Sequence, residues 1–154
     1  MNIPLISIIT PVFQAGDYLD TAIKSVLNQT HKNWELLLIN DGSTDNSKEI
    51  SLSFSDNRIF YFEQKNLGVS AARNVGLSYM RGDYFCFLDA DDCLPVDSIR
   101  SRLDIMESNS KACFVDGRIE IYDSRLKDKL HSWSPSFHGE PLKELVRLTG
   151  SCFF

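Results

Sequence analysis

Three carboxylates lie within a stretch of four residues, at Asp89, Asp91 and Asp92. Carboxylates this close repel one another, so leaving them unpaired costs free energy. A hard divalent cation with oxygen ligands removes that cost, and such a cation also binds phosphate groups. If the segment is extended, its side chains alternate, which puts Asp89 and Asp91 on one side and Asp92 on the other. We therefore predict that Asp91 and Asp89 hold Mn²⁺ or Mg²⁺, with Asp91 as the first choice for a direct ligand.

The acidic cluster also has a second interpretation. It could be a solvated loop that caps the helix expected to begin near Pro95, because carboxylates are favourable near a helix N-terminus. The residue types alone do not separate the two interpretations. The preceding residues 84–88 favour the metal site, since they form an unbroken apolar run typical of a buried strand.

The acidic cluster must be positioned by regular structure, and strand-like apolar runs alternate with helical patterns along the chain. This alternation predicts an α/β fold, with a mostly parallel, Rossmann-like sheet flanked by helices. The predicted strands are residues 5–10, 34–40, 59–62 and 84–88, the last as a central strand. The predicted helices are residues 17–29, a short helix opened by a capping box at Asn46 and Glu49, residues 69–81, and one after Pro95.

The last part of the chain is predicted to contain a strand-like stretch over 113–122, a polar loop to about 139, a short helix over 141–148 and a strand from 151 onward. A domain does not usually stop at the opening of a strand. We therefore expect residues 1–154 to be one portion of a longer domain, truncated on the C-terminal side of the fold.

In open α/β sheets, ligands bind outside the carboxyl ends of the strands. The residues that follow the four predicted strands are therefore candidates for a site, and most of them are small, polar or acidic. They are Thr10, Pro11, Val12 and Phe13, then residues 41–44, residues 64–68 and residues 89–92. This convergence predicts a single site at one edge of the sheet.

Two further side chains at this edge each have two interpretations. Asp41 could cap the helix that follows it, or accept the imide N–H of a uracil base. Arg73 could reach a phosphate or pair with the acidic cluster, or it could form a salt bridge on a helix surface. The residues alone leave both questions open.

Composition excludes several classes of protein. The chain of 154 residues carries a formal net charge of −5 and has no run of Lys and Arg, which argues against a nucleic acid partner. Its four cysteines form no CxxC pair, and Cys86 and Cys113 lie in apolar runs typical of buried, reduced thiols. We also expect no signal peptide and no membrane span. These features predict a cytoplasmic protein, with any contact to the inner face of a membrane made by parts outside this chain.

Four segments, in this order and at this spacing, resemble family 2 glycosyltransferases with the GT-A fold. They are Ser7-Ile8-Ile9-Thr10-Pro11-Val12-Phe13, Asn40-Asp41-Gly42-Ser43-Thr44-Asp45, Asn66-Leu67-Gly68-Val69-Ser70-Ala71-Ala72-Arg73-Asn74 and Phe87-Leu88-Asp89-Ala90-Asp91-Asp92. The resemblance extends from about residue 4 to about residue 106 and is faint beyond that.

The resemblance implies a metal-dependent transfer, with inversion, of a sugar from a nucleoside diphosphate donor, most simply a UDP-sugar, to a glycan or lipid-linked glycan acceptor. It implies that residues 10–13 and Asp41 hold the base, that Arg73 lies near the base and phosphates, and that Asp89 contacts the ribose or the metal. Asp91 is then the ligand of Mn²⁺ or Mg²⁺, which offsets the charge that develops on the leaving diphosphate.

The family also needs a general base for the acceptor hydroxyl, which usually follows a strand like the one predicted from residue 151. We therefore expect the acceptor side and the base to lie beyond residue 154, with Asp116 and Glu120 as poor substitutes. Two alternatives to an active transferase stay open: a donor-binding fragment that transfers nothing, and an aspartyl phosphotransfer enzyme with its nucleophile in the acidic cluster.

Overall fold

The computed structural model describes residues 3–115, 117–123 and 128–134. Its elements are β1 (Ile6–Val12), α1 (Leu19–Leu27), β2 (Trp34–Asp41), α2 (Ser47–Ser53), β3 (Ile59–Gln64), α3 (Val69–Tyr79), β4 (Tyr84–Phe87), α4 (Ser98–Ser108), β5 (Ile119–Tyr122) and β6 (Lys129–Trp133). The chain divides into two compact units, one ending at Leu103 and the other beginning at Asp104. The predicted helix over 141–148 and the strand from 151 lie outside the described residues, as does Asp116.

The first unit contains a four-stranded parallel sheet in the order β3-β2-β1-β4. Strand β1 pairs with β2 from Ile6 opposite Trp34 to Val12 opposite Asn40, and with β4 from Ile6 opposite Tyr84 to Ile9 opposite Phe87. The predicted parallel α/β sheet is confirmed. Because all four strands run the same way, the residues that follow them meet at one edge of the sheet.

Apolar side chains cover both faces of this sheet. On one face, Ile8 and Val12 of β1 belong to the same buried cluster as Leu19 and Ile23 of α1. On the other face, Ile9 packs with Ala72 of α3. Helix α3 approaches β1 closely at Gly76, where an added Cβ would lie 2.3 Å from Cγ2 of Ile9. The absence of a side chain at Gly76 therefore allows α3 to pack against the sheet.

Strand β4 was predicted to be central, and in the described part of the chain it is instead an edge strand, paired with β1. Phe85 and Phe87 are 49% and 41% exposed, on a face that the described residues leave partly open. The prediction of a central, buried strand was wrong here: β4 pairs on one side only among the described strands, and none of its four residues is fully buried although all four are apolar or aromatic. Cys86 packs against the core as predicted, and burial raises the pKa of its thiol to about 11.

Helix α2 begins without the predicted capping box. Asn46 occupies the N-cap position, but no cap hydrogen bond comes from its side chain. The carboxylate of the preceding residue, Asp45, accepts the N–H of Ser47 at 3.1 Å instead. The side chain that accepts a hydrogen bond at the start of α2 therefore comes from the residue before the predicted one. The other oxygen of Asp45 accepts the N–H of Gly16, in the loop after β1.

A buried carboxylate at the amino end of the sheet is a feature that the sequence analysis missed. Glu35 is 1% exposed, and it accepts hydrogen bonds from the hydroxyl of Ser7 at 2.7 Å and from the backbone N–H of Arg81 at 2.7 Å. The guanidinium of Arg81 donates two more bonds to Oε2. Burial alone would raise the pKa of Glu35, but these hydrogen bonds outweigh it and lower the pKa. The cluster joins β1, β2 and the end of α3.

The second unit contains an antiparallel hairpin of β5 and β6, with Ile119 opposite Trp133 and Ile121 opposite His131. The strand predicted over 113–122 is therefore shorter, and β6 lies where a polar loop was predicted. Every residue of both strands is exposed. In the sequence, β5 alternates apolar and polar residues at Ile119, Glu120 and Ile121, whereas β6 is mostly polar and shows no such alternation. Cys113 is also exposed, which corrects the prediction of a buried thiol there.

Candidate functional site

The acidic cluster forms a turn at the carboxyl end of β4. The N–H of Leu88 donates to the carbonyl of Ile9 at 3.0 Å, which continues the pairing of β4 with β1 beyond Phe87. The N–H of Asp92 then donates to the carbonyl of Asp89 at 3.0 Å and closes the turn. The prediction of an extended segment with alternating sides was therefore wrong, because four residues here reverse the chain. We call residues 89–92 the acidic turn.

The three carboxylates of the acidic turn differ in exposure. Asp91 and Asp92 are exposed, Asp89 is half-buried, and Ala90 between them is buried. Partial withdrawal from water, and then the charges of Asp91 and Asp89, raise the pKa of Asp92. The two neighbouring carboxylates thus add to the effect of burial on Asp92, and a cation bound at the turn would offset their negative charge.

Arg73 of α3 pairs with the acidic turn. Its Nη2 donates to Oδ1 of Asp89 at 2.8 Å, and its guanidinium carbon lies 5.2 Å from the ring centre of Phe87. The side chain is only 19% exposed, and its Nε is buried without a hydrogen-bond partner in the described part of the chain. Of the interpretations that the sequence left open, pairing with the acidic cluster is the one that the structure contains.

Asp41, the last residue of β2, is buried and accepts three hydrogen bonds. Its Oδ1 accepts from Nε2 of Gln64 at 2.6 Å and from the N–H of Leu67 at 2.9 Å, and its Oδ2 accepts from the N–H of Gly68 at 2.8 Å. Asp41 therefore does not cap α2, the helix that follows it; it holds the segment that leads into α3. A carboxylate has about four acceptor positions, so the described residues leave one position on Oδ2 unfilled.

The four predicted residues after β1 differ in what they can present to a ligand. Thr10 is 1% exposed, and its hydroxyl is buried without a partner among the described residues, while Val12 is fully buried in the core. Pro11 is half-buried, and Phe13 is 51% exposed. A ligand outside this edge of the sheet can therefore reach the side chain of Phe13, whereas Val12 can offer only its backbone.

Gln14 connects the loop after β1 to the loop after β2. Its Oε1 accepts the N–H groups of Thr44 at 2.9 Å and Asp45 at 3.2 Å, and its Nε2 donates to the hydroxyl of Thr44 at 2.9 Å. Its backbone has a φ of 51°, in the left-handed region that glycine favours. The sequence analysis missed Gln14, because nothing local to residue 14 indicates a partner thirty residues away.

The described residues contain no group of three or more His, Cys, Asp or Glu side chains arranged to hold a metal ion. The predicted ligands Asp89 and Asp91 therefore form a partial set of oxygen donors. Mg²⁺ is commonly bound in this way, by one or two carboxylates together with the phosphates of a substrate. The donor chemistry and the exposure of Asp91 fit a cation shared with a phosphorylated ligand.

The family model described as "Glycosyl transferase family 2" matches residues 7–153. A Haemophilus influenzae protein named as an uncharacterized glycosyltransferase is 48% identical over 112 residues, which cover 71% of this chain and 45% of that protein. Bacillus subtilis TuaG, whose name places it in teichuronic acid biosynthesis, is 38% identical over 148 residues, 93% of this chain and 59% of TuaG. The chain thus spans less than two thirds of each of these relatives.

Among solved structures, residues 1–349 of S. aureus TarS in complex with UDP are similar to this chain, with a TM-score of 0.64 and 21% identity. The match covers 67% of this chain and 32% of the TarS chain. At this identity the likeness concerns the fold, and it confirms the GT-A architecture expected from the four motifs. No helix within the described ranges is long and apolar enough to cross a membrane.

Proposed function

This chain belongs to glycosyl transferase family 2, and from that premise we propose that it holds the donor, a nucleoside-diphosphate sugar, at the carboxyl edge of its parallel sheet. The transfer goes to a glycan or lipid-linked glycan, with inversion at the sugar carbon. TuaG, whose name assigns it to teichuronic acid biosynthesis, and a structural neighbour solved in complex with UDP support this choice of substrates. The family match gives no support to aspartyl phosphotransfer.

The observation that carries the choice of base is the hydrogen bonding of Asp41. Within the described part of the chain, Oδ1 accepts from two donors and Oδ2 from one, which leaves a single acceptor position for a ligand. Uracil presents one imide N–H, which matches that position. Guanine presents two adjacent N–H donors and would need both oxygens. The corresponding ring nitrogen of cytosine carries no hydrogen, so cytosine could donate to Asp41 only through its exocyclic amino group, from a different position in the site. Asp41 therefore favours UDP, and dTDP by the same chemistry, over GDP and CDP.

Asp91 and Asp89 are the residues proposed to hold Mn²⁺ or Mg²⁺. When bound, the cation would stabilise the negative charge that develops on the leaving diphosphate. Asp91 presents an exposed carboxylate, while Arg73 fixes the orientation of Asp89 through their ion pair. Arg73 also supplies one positive charge beside the acidic turn, which favours an anionic diphosphate there.

We place the general base outside the described residues. Glu120 is a poor candidate, because hydrogen bonds from Lys129 and Tyr122 lower the pKa of its carboxyl. A carboxylate stabilised in its ionised form is a weak proton acceptor. The described residues are accordingly proposed to bind the donor, with the general base supplied from outside them.

A thermal-shift panel of UDP, dTDP, GDP and CDP, each with and without Mn²⁺, tests the donor site. At a hundredfold excess over Kd, binding adds about 2.7 kcal/mol, which raises the Tm of a chain of this size by roughly 5–10 °C. We expect the largest shift for UDP with Mn²⁺, and its loss in Asp91→Ala. Equal shifts for all four nucleotides would contradict the proposed selection of the base by Asp41. No shift with any of them would rule out the proposed donor site.

A further inference from the structure

The segment that leaves the acidic turn is held by the end of helix α1. Gln29 lies just beyond the last residue of α1, and its side chain is fully buried. Its Nε2 donates to the carbonyls of Pro95 at 2.8 Å and Ser25 at 3.0 Å, with a longer contact of 3.4 Å to the carbonyl of Leu94. Its Oε1 accepts the N–H of Ile99 at 3.1 Å. One amide therefore joins the end of α1 to both ends of the connection into α4.

Ser25, one helical turn earlier, adds a second connection. Its hydroxyl accepts the N–H of Leu94 at 3.1 Å and donates to the carbonyl of Ala22 at 2.7 Å. The N–H of Thr30 donates to the carbonyl of Val96 at 3.0 Å and forms a third. Because Leu94 is the second residue after Asp92, these bonds fix the exit of the acidic turn.

The entry of the acidic turn is fixed independently of α1. The bond from Leu88 to Ile9 holds it to the sheet, and Arg73 holds Asp89. The exposed Asp91 lies between these two fixed ends, on a turn closed by a single backbone bond from Asp92 to Asp89. If the exit were released, the position of the Asp91 carboxylate would depend on that one bond.

We propose that Gln29 and Ser25 are positioning residues, which set the place of the Asp91 carboxylate through the exit of the acidic turn. They contact neither the cation nor the donor, and the inference rests on the proposed donor site. Mg²⁺ requires near-ideal geometry, so a displaced carboxylate binds it weakly. Removing either anchor leaves buried polar groups unpaired, which favours a rearrangement of the segment.

The test separates the metal-dependent part of donor binding from the rest. Isothermal titration measures the Kd of UDP with and without Mn²⁺ for the wild-type chain, Gln29→Ala, Ser25→Ala and Ser25→Thr. We expect the gain in affinity from Mn²⁺ to fall about 10–100-fold in both alanine variants, while the affinity for UDP alone is kept. Ser25→Thr retains a hydroxyl and should preserve the gain.

Val26→Ala is the matched control, because Val26 is fully buried on the same helix and has no polar side chain. A general loss of stability would weaken UDP binding with and without metal, in Val26→Ala as well as in the anchor variants. If Gln29→Ala does not fold, the Ser25 pair carries the test. The proposal is overturned if the alanine variants keep the full effect of Mn²⁺, or if Ser25→Thr loses as much as Ser25→Ala.

Amide hydrogen exchange distinguishes failure of this inference from failure of the donor site. In Gln29→Ala we expect faster exchange at Leu94 and Ile99, with the exchange of β1 and β2 unchanged. If the wild-type chain binds no UDP with Mn²⁺, the donor site fails, and the exchange measurement alone then decides whether Gln29 anchors the turn. Unchanged exchange at both amides would refute the anchoring in either case.

Discussion

Nη2 of Arg73 lies 2.8 Å from Oδ1 of Asp89, so an ion pair connects helix α3 to the acidic turn after β4. The pair brings together two of the four sequence motifs that are separated along the chain. Since Asp89 is 44% exposed, the pair contributes at most about 1 kcal/mol to the free energy of unfolding. We therefore expect the Arg73–Asp89 pair to affect the binding of cation and nucleotide more than the stability of the fold.

Replacing Arg73 should affect the cation and the nucleotide in opposite directions. In Arg73→Gln, the acidic turn loses its neighbouring positive charge, so Mn²⁺ alone should bind more tightly. UDP with Mn²⁺ should bind about 10-fold more weakly, a change of roughly 1.4 kcal/mol, because the diphosphate loses a favourable charge. Titration calorimetry with each ligand measures both changes.

Lys24→Gln is the charge-matched control for this prediction, since Lys24 pairs with Asp20 on the exposed surface of α1. It removes the same charge and should change neither affinity. Weaker binding of both Mn²⁺ and UDP in Arg73→Gln would show a general disruption of the site instead.

Replacing Asp41 by asparagine should reduce both stability and UDP binding. Asparagine replaces one carboxylate oxygen by an NH₂ group, which cannot accept a hydrogen bond, so at least one of the three donors to Asp41 loses its acceptor. Each buried group left unpaired in this way costs about 1–3 kcal/mol. Gln64→Met is the comparison, because it removes one of the three donors and leaves the carboxylate intact. Urea unfolding and UDP titration should show a loss of binding in Asp41→Asn and its retention in Gln64→Met. Full UDP affinity in Asp41→Asn would rule out the proposed contact with the base.

The left-handed backbone of Gln14 predicts an order of stability among its variants. Gln14→Ala loses the side-chain hydrogen bonds and keeps the strained φ of 51°, whereas Gln14→Gly loses the same bonds and relieves the strain. We expect Gln14→Ala to be the less stable of the two, by up to about 1 kcal/mol, and both to be less stable than the wild type. Denaturant midpoints measure the order, and an alanine variant at least as stable as the glycine variant would contradict the strain.

Glu35 predicts a loss of stability in acid. Its pKa in the folded chain is lowered, below the value of about 4.3 for an unperturbed glutamate. The unfolded chain therefore binds the proton more tightly, and the stability that Glu35 contributes is present above pH about 4.3 and lost as the pH falls through the folded pKa. Urea midpoints between pH 6 and pH 3 should fall less steeply in Glu35→Gln than in the wild type. Equal slopes would show that other carboxyl groups cause the acid sensitivity.

The sequence was sufficient to predict the parallel sheet and the edge of the sheet at which the candidate site residues lie. The apolar runs of β1 and β2 are buried along almost their whole length, so they stand out from the helical patterns on either side. The acidic turn, Asp41 and the loop after β1 were predicted at one edge, because the carboxyl ends of parallel strands must meet there. These features depend on local patterns and on one topological rule.

What the sequence could not predict depends on contacts between distant residues. The partners of Gln29 lie up to 70 positions away and those of Glu35 up to 46, and no local pattern identifies either pairing. The extended form expected for residues 89–92 was wrong because the N–H of Asp92 bonds the carbonyl of Asp89, and the residue types alone do not indicate that bond. Strand β6 was missed because three of its five residues are polar and its two apolar residues, Leu130 and Trp133, do not alternate, so its sequence has no strand pattern.

Strand β1 lies between β2 and β4, so the two halves of the proposed donor site are separated by two strand spacings, or about 10 Å. Asp41 ends one of the outer strands of this trio and the acidic turn ends the other. Backbone hydrogen bonds fix that separation, and substitution of side chains cannot shorten it. If one ligand occupies both halves, as proposed, it must extend about 10 Å between the group at Asp41 and the group at Asp91. Free phosphate or a free base is too short to contact both halves, so its affinity would come from one half alone.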